Sequence, residues 1–494
     1  MGRHEDRSRR RSVIPQSGVP TTSEHRRAHT LRQTLAITGL GAVLPGAGYL
    51  WTGRRVLGLL VLAPSVLIAL GAGWYVVRDH RTLWQLAVDP DRLRVAAAVA
   101  VTVAAVWMVV VVTTYLLVRP ARRSRAQTMS GVAFTGALCV LLAAPTALSV
   151  RYATIQADLI SAVFEDNVSA TVPRAFTGEV PAEDPWAGQD RVNVLLLGGD
   201  GNVHRDGVRT DSLIVMSMDT DTGETVMFSL PRNLMNARFP ADTPLHDLYP
   251  DGFNGAGDPA AYMLNAVYGQ VPVLHPGVLG RSDNEGADAV KLAVEGTLGL
   301  PVHYYVLVNL MGFRDIVDAM GGVTVNINQP VPVGGRPELN VPPTRYLEPG
   351  PGRRLDGVDA RWFARGRYGS DDYQRMERQR CLVRAVIDEM RPLTLLRNYQ
   401  ELAATGEEVV RSDIPSDLLP AFVDLGLLVK DADVRSVVFR SSERFFPGDP
   451  DIPWMQGVVE RALGQGPRAP RRRDRPAPGA ATDTTASCAY DPGP

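Results

Sequence analysis

Three long apolar runs stand out in the pattern of hydrophobic and polar positions along the first third of the chain. They occupy residues 56–77, 95–118 and 131–150, and none contains a charged side chain. Because a hydrocarbon core of about 30 Å needs about 20 apolar helical residues, each run predicts a membrane-spanning helix. An earlier run, residues 35–50, is shorter and contains Pro45, which predicts a re-entrant or interfacial hairpin rather than a span. The pattern therefore predicts an α-helical membrane region over residues 35–150.

Charged residues around these runs predict their orientation. Residues 1–34 contain eight arginines against three acidic residues, which predicts a disordered basic tail rather than a cleaved signal peptide. Further arginines occupy positions 54–55 and the loop 119–125, whereas the loop 78–94 mixes arginines with aspartates. Because cytoplasmic loops are enriched in basic residues, we predict a multi-pass cell-membrane protein with three spans, a cytoplasmic N-terminus and an extracellular C-terminal domain. A four-span alternative would place one basic segment on the opposite side.

The pattern changes after residue 150. Residues 151–189 predict a juxtamembrane helix followed by a linker, and residues 190–465 predict an α/β domain. The last segment, residues 466–494, is rich in Pro, Arg, Ala and Thr without periodicity, which predicts a disordered tail.

Within the domain, apolar runs and helical spacing predict a mixed central sheet flanked by helices. The continuous apolar run 192–198 predicts a strand that is covered on both faces. Residues 212–233 predict a β-hairpin with its turn near Asp219–Gly223. Apolar residues at helical spacing predict helices over residues 288–300 and from Asp372 to Met390.

The spacing of the cysteines and the absence of known catalytic signatures argue against several classes of protein. Cys139, Cys381 and Cys488 show no metal-ligand spacing, so we expect neither structural zinc nor a disulfide framework, and a Cys381–Cys488 bridge is the minor alternative. No P-loop, GxSxG or HExxH occurs, and no GxGxxG enters a helix. With a net charge of −1 and a basic tail beside membrane spans, we expect anionic lipid headgroups rather than nucleic acid as the tail's partner.

Residues 361–380 hold a dense group of arginines around two aspartates. Arg375, Arg378 and Gln379 share one face of the predicted helix, and strand-like alternation places Arg365 and Arg367 on a common face. Forked guanidinium groups at the start of a helix suit a phosphate-rich ligand. A salt-bridged, solvent-exposed helix end is the alternative interpretation.

The ordered motifs LLLGGD, RTDS, SLPRN, LNAVYG, VHYYVLVNLMGFRDIVDAMGGVTVNI and ARGRYGSDDYQRMERQR closely resemble the LytR-CpsA-Psr (LCP) family over roughly residues 190–465. The resemblance implies an LCP-type fold and a membrane-anchored phosphotransferase, which moves a glycopolymer from a polyprenyl-pyrophosphate carrier onto peptidoglycan. It implies that Asp200 and Asp211 hold a metal ion, and their oxygen ligands suit Mg²⁺ or Mn²⁺. The residues that it implies for pyrophosphate binding are Arg209, Arg232, Arg365, Arg367, Arg375, Arg378 and Gln379.

The catalytic residues implied in this way are Arg365, Arg367 and Asp372. The arginines would neutralise charge on the leaving phosphate, and Asp372 would orient or deprotonate the incoming hydroxyl. Two alternatives for Asp372 stay open, because it could instead hold Arg375 or cap the helix. A lipid substrate also needs an apolar channel, which strand 304–310 and helix 288–300 could line.

Three positions depart from the family pattern. Asn233 replaces an acidic residue, Met263 a lysine and Asn202 an arginine. These losses weaken the charge of the site and motivate an alternative function. In that alternative the protein is a non-enzymatic envelope protein that binds carrier lipid or wall polymer as an anchor or sensor.

Overall fold

The structure is a computed structural model. It describes residues 28, 30–78, 85–164, 168–172, 184–199, 210–335, 339, 341–389, 410–464 and 481–491. Internal contacts divide the chain into two units, one formed by residues 1–78 and 99–148 and the other by residues 79–98 and 149–494.

The first unit consists of helices. They are α1 (Leu31–Val43), α2 (Ala47–Trp51), α3 (Arg55–Arg78) and the parts of α4 (Pro90–Val118) and α5 (Arg125–Phe164) that fall within it. Three helical stretches are long and apolar enough to cross a membrane, namely Arg55–Trp74, Pro90–Val118 and Arg125–Asp158. Two of them contain the predicted spans 95–118 and 131–150, and the first covers residues 56–74 of the predicted span 56–77. The predicted hairpin over residues 35–50 corresponds to α1 and α2, which are separated at Gly46, where φ is +97°.

Among the described residues, the second unit is built on a seven-stranded mixed sheet. The strands are β1 (Arg191–Gly199), β2 (Thr210–Asp219), β3 (Thr225–Ser229), β4 (Tyr304–Asn309), β9 (Val410–Ser412), β10 (Val434–Val438) and β11 (Thr482–Asp483). Their order across the sheet is β11-β10-β3-β2-β1-β4-β9. The pairs β1–β4 and β3–β10 are parallel, and the other neighbours are antiparallel. The predicted hairpin is therefore β2–β3, with Ile214 opposite Ser229.

Helices and two small sheets surround this central sheet. The helices are α6 (Pro244–Leu248), α7 (Val267–Leu274), α8 (Glu285–Leu298), α9 (Leu310–Ala319), α10 (Gly357–Arg365), α11 (Asp372–Glu389), α12 (Leu419–Asp431), α13 (Ile452–Ala462) and α14 (Thr484–Ser487). Short 3₁₀ turns occupy Pro259–Tyr262, Leu264–Ala266 and Ser416–Leu418. One small sheet pairs β5 (Val323–Ile327) with β8 (Gly350–Leu355), and the other pairs β6 (Val331–Val333) with β7 (Arg345–Leu347).

Alternation along the strands divides the apolar side chains of the sheet between two cores. On β1, Leu195 and Leu197 join the core that contains residues of α7, α8 and α13. Val192 and Val194 join the opposite core, which includes Leu425 of α12. Both faces are thus covered, as the continuous apolar run of β1 predicts.

A buried polar network ties β9 to α8. Lys291 Nζ donates to Asp413 Oδ2 at 2.5 Å and to the carbonyl of His303 at 2.9 Å, and Asp413 Oδ1 accepts the Tyr305 N–H. The His303 Nδ1 atom accepts the backbone N–H of Asn193, and burial together with the nearby Lys291 charge lowers the pKa of His303 to about 4. His303 is therefore held neutral as part of the framework.

The C-terminal segment corrects two expectations. Residues 481–491 are ordered, because Thr482 pairs with Ser436 at the edge of the sheet. Cys381 and Cys488 form a disulfide, with Cα atoms 5.6 Å apart. Composition predicts disorder for residues 466–494, of which residues 466–480 and 492–494 lie outside the described residues, but it cannot register a covalent bond between Cys488 and α11.

Candidate active site

The arginines of the last motif lie at the end of α10, in the turn that follows it and on α11. The strand predicted for Arg365 is wrong, because α10 is a helix that ends at this residue and buries Ala360 and Phe363 on one side. Gly366 follows, and an added Cβ there would lie 2.7 Å from the Pro332 carbonyl oxygen, so only glycine fits. This close approach fixes the direction of the backbone that carries Arg365 and its neighbour.

The start of α11 shows that Asp371, and not Asp372, caps the helix. Asp371 Oδ1 accepts the N–H of Gln374 at 2.7 Å, and Gln374 Oε1 accepts the N–H of Asp371, so these two residues form a reciprocal cap. Asp372 Oδ1 lies 2.6 Å from Arg375 Nη1. Asp372 thus holds Arg375, whereas Asp371 caps the helix.

Three arginines, Arg232 and the neighbouring pair Arg367 and Arg375 from a distant segment, converge with two aspartates; we call Arg232, Arg367, Arg375, Asp211 and Asp372 the arginine cluster. Arg232 Nη1 lies 2.5 Å and Arg367 Nη2 lies 3.4 Å from Asp211 Oδ1. Arg232 Nε lies 3.6 Å from Asp372 Oδ1. With three guanidinium groups and two carboxylates the cluster keeps one net positive charge, which favours an anionic ligand.

Main-chain contacts hold two of the arginines in place. Arg232 lies in the loop after β3, and its own carbonyl oxygen accepts the N–H of Asn265 at 2.9 Å. Arg375 is 1% exposed, and its Nη2 atom donates to the Asp211 carbonyl oxygen at 3.4 Å. Burying a guanidinium group with few partners costs desolvation free energy. The rest of the fold must therefore supply the free energy that keeps Arg375 buried.

The charges within the cluster shift its pKa values. Burial lowers the pKa of Arg375 to about 10, with Arg367 and Arg232 adding to the effect of burial and Asp372 opposing it. Burial alone would raise the pKa of Asp211, but the charges of Arg232 and Arg367 outweigh it and lower that pKa below its usual value. Asp211 is therefore ionised at neutral pH.

The remaining predicted residues divide into three groups. Gln379 accepts a hydrogen bond from Ser212 Oγ at 3.2 Å and lies beside the cluster with Arg365. Arg378 is placed elsewhere, since its guanidinium donates to the carbonyls of Phe363 and Gly366 and so holds the α10–α11 turn together. The last group, Asp200, Asn202 and Arg209, lies outside the residues that the structure describes.

A cavity of about 430 Å³ opens beside the arginine cluster; we call it the apolar cavity. Arg365, Arg367, Arg375 and Asp211 are among its polar lining residues. Most of its wall is apolar and comes from strands β1, β2 and β4 and from helices α11 and α12, including Met216, Val306, Val383, Phe422 and Val429. Val306 and Val308 of β4 are among the lining residues, in agreement with the prediction that strand 304–310 lines an apolar channel.

Two parts of the wall differ from expectation. None of the lining residues comes from α8, whose apolar side chains pack in the other core. The contribution of α12 was not predicted, because its apolar pattern is the same for a packed core and for a cavity wall. Gly426 within that helix was the available signal, since glycine is otherwise unfavourable in a helix interior.

The model of the LytR_cpsA_psr family matches residues 158–447, which is more than half of the sequence. The chain belongs to this family. Its mixed sheet with flanking helices is accordingly the LCP-type fold.

Individual relatives share less than 30% of their residues with this chain over the matched region. The polyisoprenyl-teichoic acid–peptidoglycan teichoic acid transferase TagU of Oceanobacillus iheyensis is 29% identical over 237 residues, which cover 47% of this chain and 61% of that protein. The TagU protein of Enterococcus faecalis is 26% identical and covers 51% of this chain and 70% of that protein. The matched region is thus less than two thirds of the length of the first of these relatives.

Solved structures match a little more than half of the chain. Protein gbs0355 from Streptococcus agalactiae is 22% identical with a TM-score of 0.41, and the match covers 57% of this chain and 90% of that one. Bacillus subtilis TagV is 21% identical with a TM-score of 0.39, covering 56% of this chain and 99% of that one.

Proposed function

We propose that this protein is a membrane-anchored transferase that moves a glycopolymer from a polyprenyl-diphosphate carrier onto a hydroxyl of peptidoglycan. The observation that carries the proposal is the position of the arginine cluster beside the apolar cavity. A lipid diphosphate has a charged head and an apolar chain, and these two surfaces match its two parts. The names of the TagU relatives, which refer to polyisoprenyl-linked teichoic acid and peptidoglycan, support the same assignment.

In the proposed reaction an acceptor hydroxyl attacks the phosphorus that carries the glycopolymer. The new bond joins the acceptor oxygen to this phosphorus, and the bond that breaks releases the carrier as polyprenyl phosphate. Negative charge develops on the departing phosphate oxygens, and Arg365, Arg367 and Arg375 line the cavity where it would be neutralised. One such cation typically contributes a factor of about 10²–10³ in rate.

Asp372 is the candidate that accepts the acceptor's proton. Its Oδ1 atom is paired with Arg375, and its Oδ2 atom is buried without a hydrogen-bond partner among the residues that are described. A buried carboxylate oxygen left in this way is costly unless a ligand supplies a donor, and an incoming hydroxyl would do so. The proton of that hydroxyl would then move to Oδ2.

We propose that Asp211 would hold a divalent cation, Mg²⁺ or Mn²⁺, with Asp200, which lies outside the described residues. Both ion pairs of Asp211 use Oδ1, so Oδ2 is the atom through which it would hold a cation, together with Asp200. Within the described ranges no group of three or more His, Cys, Asp or Glu side chains could hold a metal alone. A hard cation that shares its ligands with phosphate oxygens suits such a sparse carboxylate site, and it would stabilise negative charge on them.

The membrane placement is part of the proposal. We place residues 1–34 in the cytoplasm and the LCP domain outside the cell, on the argument that basic loops stay inside. The three apolar helices support membrane attachment.

A matched pair of arginine substitutions tests the activity. The full-length protein is assayed in vesicles for release of polyprenyl phosphate from a diphosphate-linked glycan in the presence of Mg²⁺ and peptidoglycan. Arg367→Ala removes a partly exposed member of the cluster and should lower the rate about 10²–10³-fold. Arg353→Ala removes an exposed arginine of β8 that does not line the cavity and should leave the rate unchanged.

The same assay separates the alternative of a binding protein. That alternative is motivated by Asn233, Met263 and Asn202, and Asn233 is exposed beside Arg232. Wild type that binds the lipid but releases no polyprenyl phosphate, with several glycans tested, would favour an anchor or sensor over a transferase.

A further inference from the structure

The second unit contains the ends of two apolar helices as well as the LCP domain. Residues 79–98 include the start of α4, and residues 149–164 form the end of α5. Both helices contain candidate membrane spans, Pro90–Val118 and Arg125–Asp158. One apolar helix is enough to hold a domain at a membrane, so the packing of two helix ends in this unit calls for a further role.

These helix ends pack in the core on the cavity side of the central sheet. Leu93, Ala157 and Ile160 are buried in the same cluster as Leu425 of α12. Arg94 Nη2 donates to Ser161 Oγ at 3.1 Å, which joins the two helix ends to each other.

Helix α12 lies between the apolar cavity and Gln85, which precedes α4. Phe422, Leu425, Gly426 and Val429 line the cavity, and their i, i+3, i+4, i+7 spacing places them on one face of the helix. Asp424 projects from the other side, where its Oδ2 atom accepts a hydrogen bond from Gln85 Nε2 at 2.7 Å. The wall between the cavity and the segment that leads into α4 is thus one helix thick.

The cavity face of α12 is loosely filled around Gly426. A Cβ atom added at Gly426 would meet no heavy atom within 4 Å. Phe422 instead makes edge-on ring contacts with Trp186 at 5.1 Å and with Tyr304 at 5.5 Å, so its ring is held from two sides. Helix α12 is therefore tightly packed at Phe422 and borders empty space at Gly426.

We propose that the segment from Gln85 to Leu93, which the end of α5 braces through the Arg94–Ser161 hydrogen bond, holds α12 as the membrane-side entrance of the apolar cavity. Through this entrance the long apolar chain of a membrane lipid passes from the bilayer into the cavity without crossing water. Such a path matters because every methylene of the chain that enters water costs free energy. The inference rests on the proposed binding of a polyprenyl lipid, and it assigns Gln85 and Asp424 as positioning residues.

Uptake of lipid from vesicles tests the entrance separately from catalysis. Full-length protein is reconstituted in phosphatidylglycerol vesicles that contain a dansyl-labelled long-chain prenyl diphosphate, and energy transfer from tryptophan follows its entry. Geranyl diphosphate, a short soluble analogue, is added from the aqueous phase as the second probe. Only the long-chain probe depends on passage from the bilayer.

Gln85→Glu places a carboxylate against Asp424 and should open the contact by repulsion. We expect it to slow uptake of the long-chain probe at least about ten-fold and to change the affinity for geranyl diphosphate less than about two-fold. Combining Gln85→Glu with Asp424→Asn restores the hydrogen bond with donor and acceptor exchanged, and uptake should recover. Gln189→Glu adds the same charge at an exposed position and should have no effect.

Three results would contradict the proposal that α12 forms the entrance of the cavity. They are unchanged uptake in Gln85→Glu, an equal loss for both probes, and a combined variant that stays as slow as Gln85→Glu alone. Failure of the transferase proposal gives a different result, because wild type would then take up the lipid normally but release no polyprenyl phosphate.

Discussion

Filling the apolar cavity from Gly426 gives the sharpest test of how this protein would bind a lipid. Gly426 lies in the interior of α12 and lines the cavity of about 430 Å³, and an added Cβ meets nothing within 4 Å. A side chain there should therefore enter the cavity without moving the backbone. Gly426→Ala should also stabilise the fold by about 0.5–1 kcal/mol, since glycine is unfavourable within a helix.

Gly426→Leu extends this substitution by three carbon atoms. At about 0.8 kcal/mol for each buried methylene, a prenyl chain that loses three to four such contacts binds about 2.5–3 kcal/mol more weakly. Since about 1.4 kcal/mol corresponds to a factor of ten, the dissociation constant of a long-chain prenyl diphosphate should rise roughly 50–150-fold. The alanine variant is the matched control and should bind it within a few-fold of wild type.

Isothermal titration and denaturant unfolding measure the two effects. Inorganic pyrophosphate should bind both variants like wild type, because the arginine cluster is unchanged. If Gly426→Leu binds the long-chain lipid as tightly as Gly426→Ala while remaining folded, the apolar cavity does not hold the chain and the reasoning fails.

Three further predictions concern stability. Replacing Cys381 and Cys488 by serine should lower the free energy of unfolding by about 2–5 kcal/mol in denaturant titrations, because the bridge closes a long loop, and dithiothreitol should then have no additional effect. Lys291→Met leaves Asp413 buried without its cation and should cost about 3–5 kcal/mol, whereas a loss below about 1 kcal/mol would show that the pair is not buried in solution. The folded-state pKa of Asp211 is lowered, so its contribution to stability is present above the unfolded pKa of about 3.9 and is lost as pH falls through the folded value. Asp211→Asn should therefore flatten the acid limb of the stability profile, and an unchanged limb would contradict this account.

Much of the secondary structure follows from local periodicity. The apolar run 192–198 becomes β1, the hairpin becomes β2–β3, and the helix from Asp372 is α11. The strand assigned at Arg365 failed because two alternating arginines are compatible with a strand as well as with a helix end. Ala360 and Phe363, three positions apart, carried the helical signal and face a core that only the fold creates.

The candidate site was predicted as a list of residues rather than as an arrangement. The residue types and the LCP motifs placed Arg232, Arg367 and Arg375 among the ligand-binding candidates, but also Arg378. The structure separates them, since Arg378 donates to main-chain carbonyls whereas the other three lie around carboxylates. Neighbouring positions on one helix point in directions about 100° apart, so sequence proximity cannot decide which guanidinium reaches a ligand.

By itself, the sequence determined the apolar helices, the order of most strands and helices in the LCP domain, and the chemical character of its binding residues. These depend on composition and on the period of side chains along one segment. Tertiary structure alone decided which arginines meet at Asp211, that α12 rather than α8 encloses the cavity, and that Cys488 reaches Cys381. Each of these three contacts joins segments that are far apart in the chain. Such segments meet only when the chain folds around the central sheet, so the pattern along one segment cannot predict the contact.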